Sequence, residues 1–139
     1  MVSLADIYSK IAKTGAAVIA YSDSNYEAAT IEMCGFYDIY INPCKIHTIA
    51  DLKTKLLHEY GHCATGCTHK VYSPFELVEK NEYKANRCAI ETFLPWPEIK
   101  KAVRSGLTEY WQLAEYFNID EKLIRKAVVY YTETKQLKF

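Results

Sequence analysis

His58-Glu59-Tyr60-Gly61-His62 sets two imidazoles four residues apart with a carboxylate next to the first. On a helix, positions four apart differ by only about 40° of rotation and roughly one turn of rise. His58 and His62 therefore point the same way and can share one metal ion. Glu59 sits about 100° round from His58, near such an ion without necessarily binding it. A divalent ion lowers the pKa of a bound water from 15.7 to about 7, and Glu59 stands where it can take the released proton. This is the working core of a metal-dependent hydrolase, a zinc peptidase above all. Gly61 is expected to leave room for a substrate backbone to pass close to the pair. The same five-residue pattern arises by chance in on the order of one chain in a few hundred of this length. Its meaning therefore depends on a helix, a third ligand and a route for substrate. Without them, His58, Glu59 and His62 are ordinary core or surface groups.

Two carboxylates downstream can supply the third ligand, Glu79 and Glu82. Glu82 lies twenty residues after His62, enough for a loop and a returning antiparallel helix. Asn86 is one turn beyond Glu82 on the same face, where its amide can hydrogen-bond a ligand imidazole. Ala85 has a side chain small enough for close helix contact. These two neighbours favour Glu82 over Glu79, although either carboxylate can instead pair at the surface with Lys80, Lys84 or Arg87.

The elements that must carry these groups follow from residue patterning. Ser3 is expected to cap a helix with Leu4, Ile7, Tyr8 and Ile11 on one face, stopped at Gly15. Ala16 to Tyr21 reads as a buried strand, followed by a turn at Ser22-Asp23-Ser24-Asn25. Thr30 to Cys34 and Phe36 to Asn42 read as an antiparallel pair about Gly35. In the second of these, Tyr37, Ile39 and Ile41 alternate with Phe36, Asp38 and Tyr40. Thr48 caps a long helix running to about Thr65, which carries the motif on a stripe of Ile49, Leu52, Leu56 and Leu57. A polar loop ends at Pro74, and a second long helix spans about Phe75 to Phe93. It is stopped by Leu94-Pro95-Trp96-Pro97. Short helices follow at about Pro97 to Arg104, Thr108 to Phe117 and Asp120 to Tyr131. The expected class is α+β: a small, mainly antiparallel sheet packed with a two-helix zincin-like core and C-terminal helices. The expected organisation is a single domain over 1–139, with 107–131 a helix-turn-helix-like part.

Composition narrows the function classes. Half of the 139 residues are hydrophobic, sufficient for one real core. Seventeen basic and seventeen acidic residues balance, so there is no charge footprint for phosphate backbones. Lys122, Arg125 and Lys126 can meet phosphates, but Glu109, Glu115, Asp120 and Glu121 stand among them, which makes direct nucleic-acid binding a poor expectation. Twelve tyrosines suit wet-edged packing or a groove for an extended ligand. The longest apolar stretch, near Ala16 to Tyr21, is far too short to span a bilayer. Asp6, Lys10 and Lys13 break what a signal peptide would need. Five cysteines form no regular framework, and reduced thiols in a cytoplasmic protein are the simpler expectation. Cys63 and Cys67, followed by His69, invite a second metal site or a redox switch. Cys63 is about 100° from His62, however, and no second CxxC pair completes a cluster, so buried thiols are favoured. His69, Tyr72 and Tyr83 lie near enough in sequence to hold a developing oxyanion.

Glu82-Tyr83-Lys84-Ala85-Asn86-Arg87-Cys88-Ala89, running on to Phe93-Leu94-Pro95, resembles the ExxAN…LLxP segment of the ImmA/IrrE family of metallopeptidases. The HExGH motif of that family precedes it at the expected distance, here as His58 to His62. Leu113-Ala114-Glu115-Tyr116-Phe117-Asn118-Ile119-Asp120 is similar to the family's LAxxFxVS segment. The resemblance covers about residues 36 to 130 in three ordered motifs. It departs at Tyr60, where leucine is most usual, and at Cys88, where phenylalanine is common; neither is a ligand position. The first 35 residues match no segment of the family. The resemblance implies a zinc-dependent fold with His58, His62 and Glu82 as ligands and Glu59 as general base. It also implies a substrate class, because members are bacterial or mobile-element proteins that cleave or otherwise inactivate helix-turn-helix repressors.

The sequence thus points to a cytoplasmic zinc endopeptidase acting on a protein, with derepression of transcription as the outcome. Manganese or another divalent ion also suits two histidines and a glutamate. Two rivals use the same residues differently. One is a metal-containing regulator that binds a repressor without cutting it, and the other is a DNA-binding module over 107–131.

Overall fold

The computed structural model describes residues 2–23, 25–67 and 75–139. Among these are six α-helices and a three-stranded mixed sheet, an α+β arrangement. Helix α1, Leu4–Lys13, buries Ile7 and Ile11, and its Asp6 and terminal lysines complement the helix dipole. Ser3 occupies the N-cap position in extended backbone, but its side chain makes no capping bond. The chain then forms β1 (Ala17–Ala20), β2 (Ala28–Met33) and β3 (Phe36–Ile41); β1 is an edge strand, largely exposed with only Val18 partly covered, rather than the buried strand its apolar run suggests.

The strand order is β1-β3-β2, with β1 parallel and β2 antiparallel to β3. The sheet is therefore mixed rather than mainly antiparallel. Side chains alternate with a period of two in both kinds of ladder, so residue patterning does not report strand direction. The β2–β3 hairpin closes through two residues, Cys34 and Gly35, both at positive φ (54° and 82°). That is the geometry of a two-residue primed turn, and it relieves the one-residue turn the patterning seemed to require. Along β3, Ile39 and Ile41 face the core with Tyr37 half-buried beside them, as their alternation predicts.

A short 3₁₀ turn at Pro43–Lys45 follows, its first turn tied by the Asn42 side chain accepting from the Cys44 amide at 3.0 Å. Helix α2, Ile49–Thr65, begins where the Thr48 hydroxyl accepts from the Asp51 amide at 3.0 Å. It ends at Gly66, whose φ of 66° is the left-handed stop that glycine tolerates best. Helix α3 spans Phe75–Phe93 and α4 spans Trp96–Arg104, separated by Leu94-Pro95. Helix α5, Tyr110–Phe117, starts two residues later than expected, because Glu109 rather than Thr108 forms a reciprocal capping box with Gln112. Helix α6, Glu121–Val129, continues into a wider π turn at Tyr130–Thr134.

Helices α2 and α3 pack against each other more tightly than ordinary side chains allow. A Cβ on Gly61 would stand 2.1 Å from the Ala85 carbonyl oxygen, so the α3 backbone occupies the space that glycine leaves. Gly61 therefore admits a helix, not a substrate backbone. Ala85 is fully buried at this crossing. The apolar cluster runs from Ile7, Ile11, Ile39, Leu56 and Leu57 through Ile90 and Leu94 to Leu113, Phe117, Ile119 and Ile124. Residues of α5 and α6 thus share one core with α1 and α2. The Asp120 amide also donates to the Thr54 hydroxyl of α2 at 3.0 Å. No helix among the described residues is long and apolar enough to cross a membrane.

Candidate metal centre

The crossing of α2 and α3 brings His58, His62 and Glu82 together. The two imidazole Nε2 atoms are 3.2 Å apart. His58 Nε2 lies 3.0 Å from Glu82 Oε2, and His62 Nε2 lies 3.2 Å from Glu82 Oε1. One donor atom from each residue falls within 4.8 Å of the others, so the trio could hold a metal ion. Donors each about 2.0–2.2 Å from a tetrahedral ion stand roughly 3.3–3.5 Å apart, close to these separations. Glu79, the other carboxylate in play, is exposed and outside the cluster.

The outer nitrogens explain which atoms face inward. His58 Nδ1 is 3.0 Å from the Asn86 amide oxygen, and His62 Nδ1 is 2.6 Å from the Cys67 carbonyl oxygen. Both acceptors call for a proton on Nδ1, which leaves the Nε2 lone pairs aimed at the Glu82 carboxylate. Three electron-rich atoms converging in this way repel unless a cation, proton or metal, sits among them. The titration behaviour reflects this frustration. Burial opposes charging of both imidazoles, yet the Glu82 carboxylate, with Glu59 and the Nδ1 acceptors, outweighs burial and raises both above the ordinary histidine value. Hydrogen bonds from the two imidazoles hold the Glu82 carboxyl far below the usual carboxylate range. The donor set and its outer hydrogen bonds thus fit a divalent ion.

Glu59 is 6% exposed and meets the sheet through its carboxylate. There the Thr30 hydroxyl of β2 donates to its Oε2 at 2.5 Å. Glu59, His58, His62 and Glu82 line one cavity of about 300 Å³, whose opposite wall is Tyr26, Ala28, Ala29 and Thr30. A second groove of about 420 Å³, walled by Val78, Tyr83, Ile90, Val129 and Tyr130, meets the centre at Glu82 and Asn86. Tyr26 and Thr30 escape sequence reasoning because they lie about thirty residues upstream, just before and on strand β2, with no motif of their own.

The remaining expectations divide as follows. Tyr83 is exposed and lines the second groove rather than the cavity of Glu59. His69, Tyr72 and the loop up to Pro74 lie outside the described residues. Cys63 is buried and Cys67 half-buried, and Cys67 meets the centre through its carbonyl rather than its thiol. Burial pushes the Cys63 thiol up to about 11 despite its contact with the Thr30 hydroxyl. Among the described residues, no other group of histidine, cysteine and carboxylate atoms clusters as a metal site would. In the C-terminal helices Arg125 is engaged by Glu121 at 2.7 Å and lies 4.5 Å over the Tyr110 ring. It is therefore already occupied within the protein. Comparison of the chain with protein-family models, with curated proteins and with solved structures found no match.

Proposed function

We propose that this chain is a zinc-dependent endopeptidase with a zincin-like two-helix centre that cuts a protein substrate. The observation that carries the reading is the convergence of His58, His62 and Glu82 at one end of a cavity that also holds the buried Glu59 carboxylate. A surface ion pair has no need of a carboxylate held out of water beside it.

When bound, zinc supplies Lewis acidity to the scissile carbonyl and a water of lowered pKa. His58, His62 and Glu82 hold the ion, while Asn86 and the Cys67 carbonyl keep the two imidazoles in the ligating tautomer. Glu59 accepts a proton as the water oxygen bonds to the carbonyl carbon. It then returns that proton to the amide nitrogen as the carbon–nitrogen bond breaks. The small side chains of Ala28 and Ala29 on edge strand β2 leave space for an extended polypeptide along that wall.

The resemblance to the ImmA/IrrE metallopeptidases supports the same residue roles. It suggests a helix-turn-helix transcriptional repressor as substrate and derepression, in a mobile-element setting, as the result. The five free cysteines suit a reducing, cytoplasmic location. The test is incubation of the purified protein with repressors encoded beside its gene, with fragments read by mass spectrometry and bound metal quantified. Stoichiometric zinc is expected, with a discrete cleavage that Glu59→Gln lowers at least roughly 100-fold. A protein without stoichiometric metal, or cleavage unchanged by Glu59→Gln, sinks the proposal. Relief of repression by Glu59→Gln without any fragment would replace hydrolysis with binding alone.

A further inference from the structure

We infer that Thr30 is a positioning residue for Glu59, fixing which carboxylate oxygen is offered to the cavity. The inference rests on the hydrolytic reading above and deepens it. The Thr30 hydroxyl donates to Glu59 Oε2 at 2.5 Å; its other partners are the Glu59 carbonyl at 3.4 Å and the Cys63 thiol. Among the described residues no other group bonds the Glu59 side chain. Among the described residues no buried side-chain oxygen lacks a partner. Oε1, which receives no hydrogen bond, is therefore open to solvent, and the space Glu59 lines is the metal-centre cavity.

The residue type suits the task. Thr30 pairs across the sheet with Ile39, whose side chain is fully buried, so the strand at this point is anchored to the core. A β-branched side chain on a strand has restricted χ1, which gives its hydroxyl a fixed direction. Glu59, by contrast, has three rotatable side-chain bonds and sits on a helix that packs closely on α3 at Gly61. The Thr30 hydroxyl is the one link by which β2 constrains that carboxylate. Without it, Glu59 keeps its place in the sequence but not its direction.

Thr30→Val preserves volume and branching while removing the hydroxyl, and Thr30→Ser restores it. Each variant, wild type and Glu59→Gln is loaded with zinc, and acetohydroxamate binding is followed by calorimetry. This probe chelates a metal through two oxygens and surrenders its proton to an adjacent carboxylate, so it senses Glu59 without needing a substrate. The expected result is equal zinc uptake by all four proteins. Hydroxamate binding should weaken roughly tenfold or more in Thr30→Val and recover to within about threefold of wild type in Thr30→Ser. A crystal structure of metal-free Thr30→Val should show the Glu59 side chain in a new rotamer. Where a cleavable repressor is in hand, kcat should fall with KM little changed. Hydroxamate binding in Thr30→Val equal to wild type, with zinc uptake intact, overturns the inference and leaves the hydrolytic reading standing. Failure of wild type to take up zinc, or wild-type binding by Glu59→Gln, overturns the hydrolytic reading itself.

Discussion

Each imidazole of the candidate centre meets Glu82 on its inner side and an acceptor on its outer side, and the outer contact decides which nitrogen is available. Asn86 is therefore the most informative residue outside the trio. Its amide oxygen holds the Nδ1 of His58, on the same α3 face as Glu82. Asn86→Ala should weaken zinc binding by roughly 10–100-fold while leaving the fold intact, as measured by competition with a chromophoric chelator. Asn86→Asp keeps an acceptor there and should retain most of the affinity. Equal affinity in wild type and Asn86→Ala would mean that the contact is incidental. His62 allows no matching substitution, because its outer acceptor is a backbone carbonyl.

At the scale of elements, the centre exists because α2 and α3 approach as closely as their backbones permit. Gly61→Ala tests this directly. Alanine favours a helix interior by about 1 kcal/mol over glycine, but here its Cβ would meet the Ala85 carbonyl oxygen at 2.1 Å. Backbone must move, so a net loss of about 3 kcal/mol is expected, together with weakened metal uptake as Glu82 is carried away. Denaturant titration and metal competition read the two effects; a stabilised variant would show that the helices are free to separate. Helix α2 is also tied to the start of β2, where Lys55 Nζ meets Glu27 Oε2 at 2.6 Å. The Lys55 hydrogen bond and charge lower the Glu27 pKa, and the Glu27 bond raises that of Lys55 against the opposing effect of burial. A lowered carboxylate contributes stability above its ordinary value and loses it as pH falls through the folded value. A raised lysine contributes below its ordinary value and loses it as pH rises through the folded one. The pair should therefore help across the neutral range, by less than about 1 kcal/mol because Glu27 is half exposed. The urea midpoints of wild type and Glu27→Gln should differ slightly at neutral pH and converge on acidification; a gap independent of pH would exclude the pair as its cause.

At the scale of the whole molecule, the C-terminal helices are part of the unit that bears the centre. Phe117 is buried in the same cluster as Leu56 and Leu57, and Asp120 is bonded to Thr54. Phe117→Ala should cost about 3–5 kcal/mol and lower one cooperative transition that includes the metal centre, followed by circular dichroism and by zinc release. Two separate transitions, with zinc retained through the first, would instead make residues 107–131 an independent module. Shared packing also bears on the DNA-binding alternative, since a helix pair buried on one side, with the exposed Arg125 already paired to Glu121, has less surface to give to a duplex.

The chain's own pattern determined the chemistry-bearing set and the class of fold. The four-residue spacing of His58 and His62 acquires meaning from helical geometry alone. Glu82, Ala85 and Asn86 could be chosen over Glu79 because residues three and four apart share a helix face. Alternation along β3 and the cap at Thr48 were equally legible, being properties of neighbours in sequence. Tertiary structure decided the rest. The parallel pairing of β1 with β3 is invisible to a period-two pattern, and the space beside Gly61 went to α3 because packing two helix backbones buries more than an open gap does. Thr30, on strand β2, and Tyr26, just before it, reach the centre from about thirty residues upstream of the motif, and no local signal encodes such a distance. Local rules specify which atoms can do chemistry; the approach of separate elements decides which of them meet, and at what angle.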